Sequence, residues 1–158
     1  MTKVLENLQD TKKFAKEFSQ MIFDNHNKIK EGRNVILLQG DLGAGKTTFS
    51  QFLLEVLGAE GPFTSPTFVI MKKYEIKSNL KKNSEVKILK DIYHLDCYRV
   101  DEESVLDLGW EEIVADKNNL ILVEWPERIK KIWSEKYWLL KFTYGDNDDE
   151  RIVEIIER

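Results

Sequence analysis

The chain has 158 residues, a net charge of −4, and 42% hydrophobic and 33% charged residues, which suits one soluble domain with a real core and not a stand-alone nucleic-acid binder, a class that is basic as a rule. No apolar run approaches the ~20 residues of a membrane helix, and residues 1–10 carry no apolar signal-peptide core, so a cytoplasmic protein with no membrane partner is expected. Cys97 is the single cysteine, so no internal disulfide can form; it reads as a buried core thiol, and neither His26 nor His94 stands at zinc-ligand spacing from it.

In chain order, Asp10 is placed to cap a first helix with Phe14, Phe18, Met21 and Ile22 on one face, running to about Ile29. Glu31, Gly32 and Arg33 lead into a strand, Val35–Gln39. Gly40-Asp41-Leu42-Gly43-Ala44-Gly45-Lys46-Thr47 follows. A helix then begins near Lys46, carries Phe49, Phe52, Leu53, Val56 and Leu57 at helical spacing, and is capped by Gly58. After the turn-rich Gly61–Pro66, Thr67 to Ile76 reads as a strand, Ser78–Ser84 as a polar loop and Val86–His94 as a returning strand. That hairpin predicts a mixed sheet. Asp101–Leu108 reads as a short acidic-started helix stopped by Gly109. Leu120–Val123 is an apolar strand buried on both faces, and Pro126 opens a helix with Ile129 and Ile132 inward. Tyr137–Tyr144 and Arg151–Ile156 read as two final strands joined by a turn at Gly145–Asp149. The fold class is α/β: three layers around a mixed, mostly parallel central sheet.

The segment from Gly40 to Thr47 matches the phosphate-binding loop without a mismatch. Its glycines let the main chain approach a phosphate. Successive amides form an anion concavity at the start of a helix whose dipole favours the same charge. Lys46 sets a charge between β- and γ-phosphate, and the Thr47 hydroxyl suits Mg²⁺. Strand, loop and helix are the setting the motif requires, so residues 41–48 (Asp41, Leu42, Gly43, Ala44, Gly45, Lys46, Thr47, Thr48) are the expected nucleotide-binding set. The plain alternative is a glycine-rich turn between two core elements.

Hydrolysis needs a further carboxylate near Mg²⁺ and a group that places water. Glu124 ends the apolar strand predicted beside the phosphate-loop strand, so it is the expected second metal ligand with Thr47. Asp96 ends a less apolar strand and suits activation of the attacking water or the outer metal sphere. Either acid would otherwise be a cap or a surface charge. Trp125 is placed to cover the site or to fill core, and Thr67, after Pro66, either senses the γ-phosphate or starts a strand. Seven lysines against two acids lie between Lys72 and Lys90; that stretch is either a solvated hairpin or a docking patch for an acidic partner or RNA. A guanine-reading Asn-Lys-x-Asp motif is missing at Ala115–Asn118. The five arginines form no lid cluster. ATP hydrolysis coupled to a partner is therefore preferred over a P-loop small-molecule kinase or a nucleotide-dependent binding module without turnover.

Five stretches together resemble one family. They are Gly40 to Phe49, Ser65-Pro66-Thr67-Phe68, Tyr93-His94-Leu95-Asp96-Cys97-Tyr98-Arg99, Gly109 after a short acidic helix, and Val123-Glu124-Trp125-Pro126-Glu127-Arg128. In order and spacing they are similar to the bacterial TsaE family, the P-loop ATPase of tRNA threonylcarbamoyladenosine synthesis. The resemblance implies a P-loop NTPase fold that binds and hydrolyses ATP with Mg²⁺ at low intrinsic turnover. It implies work beside a threonylcarbamoyl-transferase subunit and its inactive paralogue, on adenosine 37 of tRNAs that read codons starting with A, with weak or indirect tRNA contact. In the family this subunit resets the complex rather than transferring the group. The family's metal ligands fall on Thr47 and Glu124, its second acid on Asp96, its aromatic on Trp125, its switch-like segment on Ser65–Thr67 and its N-terminal nucleotide-contacting threonine on Thr11. The hairpin from Tyr74 to Lys90 is longer and richer in lysine than the family pattern, and Cys97 stands where leucine is common.

Overall fold

The computed structural model describes residues 1–26, 34–66, 69–76 and 89–158. Its elements are β1 (Thr2–Leu5), α1 (Leu8–His26), β2 (Val35–Gln39), α2 (Lys46–Val56), β3 (Met71–Glu75), β4 (Asp91–Asp96), α3 (Glu102–Leu106), α4 (Trp110–Ala115), β5 (Asn119–Glu124), a 3-10 helix at Pro126–Ile132, β6 (Trp138–Tyr144) and β7 (Arg151–Glu157). The strands form one seven-stranded sheet in the order β1-β7-β6-β2-β5-β4-β3. The four central strands, β6, β2, β5 and β4, run parallel, and antiparallel pairs flank them on both sides. This is the expected mixed α/β sheet.

Side-chain alternation explains the layers. Successive residues of a strand point to opposite faces, so Ile36 and Leu38 of β2, with Leu120 and Leu122 of β5, enter the core beneath α1 and α2. Val35, Leu37, Ile121 and Val123 enter a second core with Val105, Trp110 and Ile129 of the helices on the other face. Both faces are covered, which is why β2 and β5 read as continuous apolar runs. The first core is aromatic: Phe49 of α2 stands 5.1 Å from Phe14 and 5.5 Å from Phe142, ring centre to ring centre. Phe18 meets Trp138 edge-on at 5.4 Å. Truncating a buried phenylalanine here would cost about 3–5 kcal/mol. That rigidity anchors the helix whose first turn forms part of the site.

The structure corrects several boundaries. Asn7, not Asp10, caps α1: its Oδ1 accepts from the amides of Gln9 at 2.9 Å and Asp10 at 3.1 Å. Asp10 instead reaches back and accepts from the Glu6 amide at 3.0 Å, a reciprocal arrangement of the capping-box kind. β1 was not expected; four residues with an exposed, mixed pattern carry little periodicity. The strand expected from Thr67 begins only at Met71, because Val69 and Ile70 turn back on Pro66, each donating its amide to the Pro66 carbonyl, at 2.9 and 2.7 Å. The returning strand is displaced to Asp91–Asp96, and its antiparallel pairing with β3 is as expected. Asp101 caps α3, which ends earlier than expected, at Leu106 with Asp107 as its C-cap, and Gly109, expected as its stop, instead starts a further short helix, α4. The helix expected at Pro126 is a kinked 3-10 segment. Gly58 caps α2 as expected: it takes a left-handed φ of 78°, and the Gly58 and Ala59 amides bond to the carbonyls of Glu55 and Leu54, both at 3.1 Å, a Schellman cap. The end of the first helix at Ile29, the Ser78–Ser84 loop and most of the lysine-rich hairpin lie outside the described residues.

Candidate functional site

The loop between β2 and α2 is shaped by close packing. Gly40 has φ 146°, and a Cβ there would stand 2.3 Å from the Phe142 carbonyl oxygen, so only glycine lets β2 turn beside β6. Gly45 takes a left-handed φ of 100° immediately before the first residue of α2. The amides of Lys46, Thr47 and Thr48 sit in the first turn, where an α-helix offers no acceptor of its own. They are therefore available to an anion at the positive end of the helix.

The β6–β7 hairpin braces this loop from outside. Tyr144 donates its hydroxyl to the Leu42 carbonyl at 2.5 Å. Arg151 donates through Nη2 to the Gly43 carbonyl at 3.3 Å and lies 4.8 Å from the centre of the Tyr144 ring. Leu42 itself points to solvent, while Ala44 is fully buried.

Lys46 is folded over the loop. Its ammonium donates to the carbonyls of Gly40 at 2.6 Å and Asp41 at 2.8 Å, and stands 4.1 Å from the centre of the Trp125 ring. Burial pushes its pKa below the ordinary lysine value, while the carboxylates of Glu124, Glu127, Asp96 and Asp41 oppose the shift. Trp125 holds its ring there through a left-handed backbone, φ 58°, and packs against Tyr98 with ring centres 4.8 Å apart.

Strand register brings the carboxylates in. Leu38 pairs with Glu124 across β2 and β5, and Asp96 pairs with Glu124 across β4 and β5. Both acids therefore stand at the same end of the sheet as the phosphate loop. Thr47 donates its hydroxyl to Glu124 Oε2 at 2.7 Å. Ser50, one turn further along α2, places its hydroxyl 3.5 Å from Oε1. Asp96 is buried and accepts from the Tyr98 amide at 2.9 Å.

Thr11 and Thr48 meet across a cleft of about 420 Å³ lined also by Asn7, Gly43, Gly45 and Arg151. The expected set thus converges from β2, α1, α2, β4 and β5. Thr67 lies outside the described residues. Four residues were not foreseen: His94, whose Nε2 stands 2.9 Å from Glu124 Oε1, and Asn7, Tyr144 and Arg151. The spacing of His94 and Asp96, two apart on one strand, was a readable signal; contacts made by the distant hairpin had none.

The chemistry of this donor set fits a magnesium–nucleotide complex. A hydroxyl and a carboxylate oxygen face each other at a helix start, a buried lysine is poised over the loop, and the cradle excludes a Cβ at Gly40. Thr47 and Glu124 are the oxygen donors a hard divalent cation prefers.

The family model described as "Threonylcarbamoyl adenosine biosynthesis protein TsaE" matches residues 5–153. The chain is 30% identical over 144 residues to the tRNA threonylcarbamoyladenosine biosynthesis protein TsaE of Haemophilus influenzae, covering 91% of this chain and 81% of that one. It is 34% identical over 154 residues to the protein of the same name from Rickettsia bellii, covering 96% and 92%. The crystal structure of YdiB from Bacillus subtilis superposes with a TM-score of 0.63 at 27% identity, covering 97% of this chain and 82% of that one.

Proposed function

The chain belongs to the TsaE family of tRNA threonylcarbamoyladenosine biosynthesis proteins, and from that premise we propose that it is a magnesium-dependent ATPase serving the tRNA-modifying machinery. The observation that carries this reading is the 2.7 Å contact between Thr47 and Glu124 at the start of α2. It joins the phosphate-loop hydroxyl to the carboxylate of the neighbouring strand, the pair that P-loop hydrolases use to hold their metal.

In this reading the amides from Gly43 to Lys46 hold the β-phosphate. Lys46 exchanges the carbonyls of Gly40 and Asp41 for β- and γ-phosphate oxygens. Thr47 and Glu124 would hold Mg²⁺, which would supply positive charge to neutralise the phosphates. Asp96, one strand over, receives a proton from the attacking water as the bond between the γ-phosphorus and the bridging oxygen breaks. Thr11, Thr48 and Asn7 line the part of the cleft that takes the nucleoside, and Trp125 covers the lysine. Thr67 is assigned the γ-phosphate-sensing position.

The partners in this proposal are a threonylcarbamoyl-transferase and its inactive paralogue, joined in the cytoplasm to modify adenosine 37 of tRNAs reading codons that start with A. Hydrolysis resets that complex; the chain does not transfer the group. No observation favours the kinase reading. Among the described residues no helix is long and apolar enough to cross a membrane.

Two measurements test this. Purified protein should release phosphate from ATP slowly and only with Mg²⁺, and Lys46→Ala should abolish release; full turnover by Lys46→Ala protein would overturn the mechanism. Capture of partners from a lysate with and without ATP should recover the transferase pair, and recovery of a metabolite-phosphorylating activity instead would favour a kinase.

A further inference from the structure

Glu124 is gripped from two sides. Oε2 accepts from Thr47 at 2.7 Å, while Oε1 faces His94 Nε2 at 2.9 Å and Ser50 Oγ at 3.5 Å. The His94 and Glu124 side chains are 1% and 2% exposed. This pairing follows from topology. β4 and β5 run parallel with His94 opposite Leu122 and Asp96 opposite Glu124. Alternation then places His94 on the same sheet face as the carboxylate, a short reach along it.

The imidazole makes a poor space-filler. An ionised carboxylate only accepts, so Nε2 carries the proton. Among the described residues Nδ1 is then buried without a hydrogen-bond partner, an unfavourable state that an apolar ring of similar volume would avoid. Filling the layer does not account for a histidine here; the bond made by Nε2 does.

We propose that His94 is a positioning residue: its Nε2–H bond to Oε1 fixes the Glu124 carboxylate so that Oε2 stays turned to Thr47 and the phosphate loop. The proposal rests on the reading of Thr47 and Glu124 as the metal-holding pair. Held this way, Glu124 offers one oxygen to the cation and spends the other on the protein. Released, the carboxylate can rotate and the site loses its preset donor. Outer partners of this kind typically change metal affinity or activity by about 10–100-fold when removed.

The test compares His94→Gln with His94→Asn. Both are polar and close in size, but only the glutamine amide is long enough to donate to Oε1. Mn²⁺ binding to the ADP-loaded protein is followed by the electron paramagnetic resonance of free Mn²⁺, and ADP binding is measured separately in EDTA. His94→Gln should bind Mn²⁺ within about twofold of the unsubstituted protein, and His94→Asn about tenfold or more weakly, with metal-free ADP affinity unchanged in both. The Mg²⁺ concentration for half-maximal phosphate release should rise in parallel in the asparagine variant. Equal Mn²⁺ affinity in the two variants overturns the positioning role while leaving the ATPase reading intact. Failure of the unsubstituted protein to take up Mn²⁺ with ADP would overturn both, and is told apart by occurring without any substitution.

Discussion

Thr47 Oγ1 and Glu124 Oε2 stand 2.7 Å apart although 77 positions separate them in the chain. The contact exists because β2 and β5 are neighbours in register, so the residue that ends β5 arrives beside the first turn of α2. Replacing Glu124 with alanine removes an oxygen donor without touching the phosphate cradle. ATP turnover should fall by about 100-fold or more, the scale for losing one electrostatic stabiliser of a transition state. Binding of a fluorescent ADP analogue in EDTA should stay within about threefold, since the uniform binding contacts remain.

Lys46 is buried in a place that disfavours its charge. Substituting methionine removes that desolvation cost but also the contacts to the carbonyls of Gly40 and Asp41. The expected result is a nucleotide-free Tm no lower than that of the unsubstituted protein. The Tm increase that ADP and Mg²⁺ produce should disappear in the variant, because ligand stabilisation scales with the occupancy lost. Thermal unfolding with and without nucleotide reads both.

The Tyr144 hydroxyl reaches the Leu42 carbonyl at 2.5 Å and so ties the last hairpin to the phosphate loop. Tyr144→Phe keeps the ring under Arg151 and deletes only the bond. A net hydrogen bond is worth about 1 kcal/mol, so nucleotide affinity should weaken roughly fivefold by titration with a fluorescent analogue. The core should be unaffected, and urea unfolding without nucleotide should shift by no more than about 1 kcal/mol.

Cys97 is fully buried, and burial pushes its thiol from the ordinary value of 9.0 up to about 12. The folded chain therefore keeps a proton that the unfolded chain gives up near pH 9. The sign follows: above pH 9 the native state binds more protons, so this group's contribution falls as pH rises toward 12, by up to about 1.4 kcal/mol per pH unit. Urea unfolding at pH 8 and at pH 10 should show a decline that is smaller in Cys97→Ala. At pH 8 the native thiol should resist alkylation and react only once urea is added.

The parts of the molecule that follow from local pattern were legible in the sequence. The apolar runs of β2 and β5, the helical spacing after Lys46, the Gly58 cap and the acids that end β4 and β5 each express a rule confined to a few neighbouring residues. Asn7 and Asp10 are both good acceptors near the start of α1, and geometry alone decides that the helix uses Asn7. β1 and α4 are too short to show a period. The grip of Tyr144 and Arg151 on the loop depends on where β6 and β7 join the sheet, which no spacing records. The two-residue spacing of His94 and Asp96 does put them on one strand face, but the partner on β5 that gives His94 its contact is set by strand order and register, which spacing alone does not record.

Among the described residues β1 pairs with β7 alone, and β7 reaches the phosphate-loop strand through β6. The cleft between Thr11 and Gly43 is finished by Arg151, the first residue of β7. During synthesis, then, the loop, its lysine and both acids emerge before the residue that walls this side of the cleft, so the local chemistry is in place ahead of its enclosure.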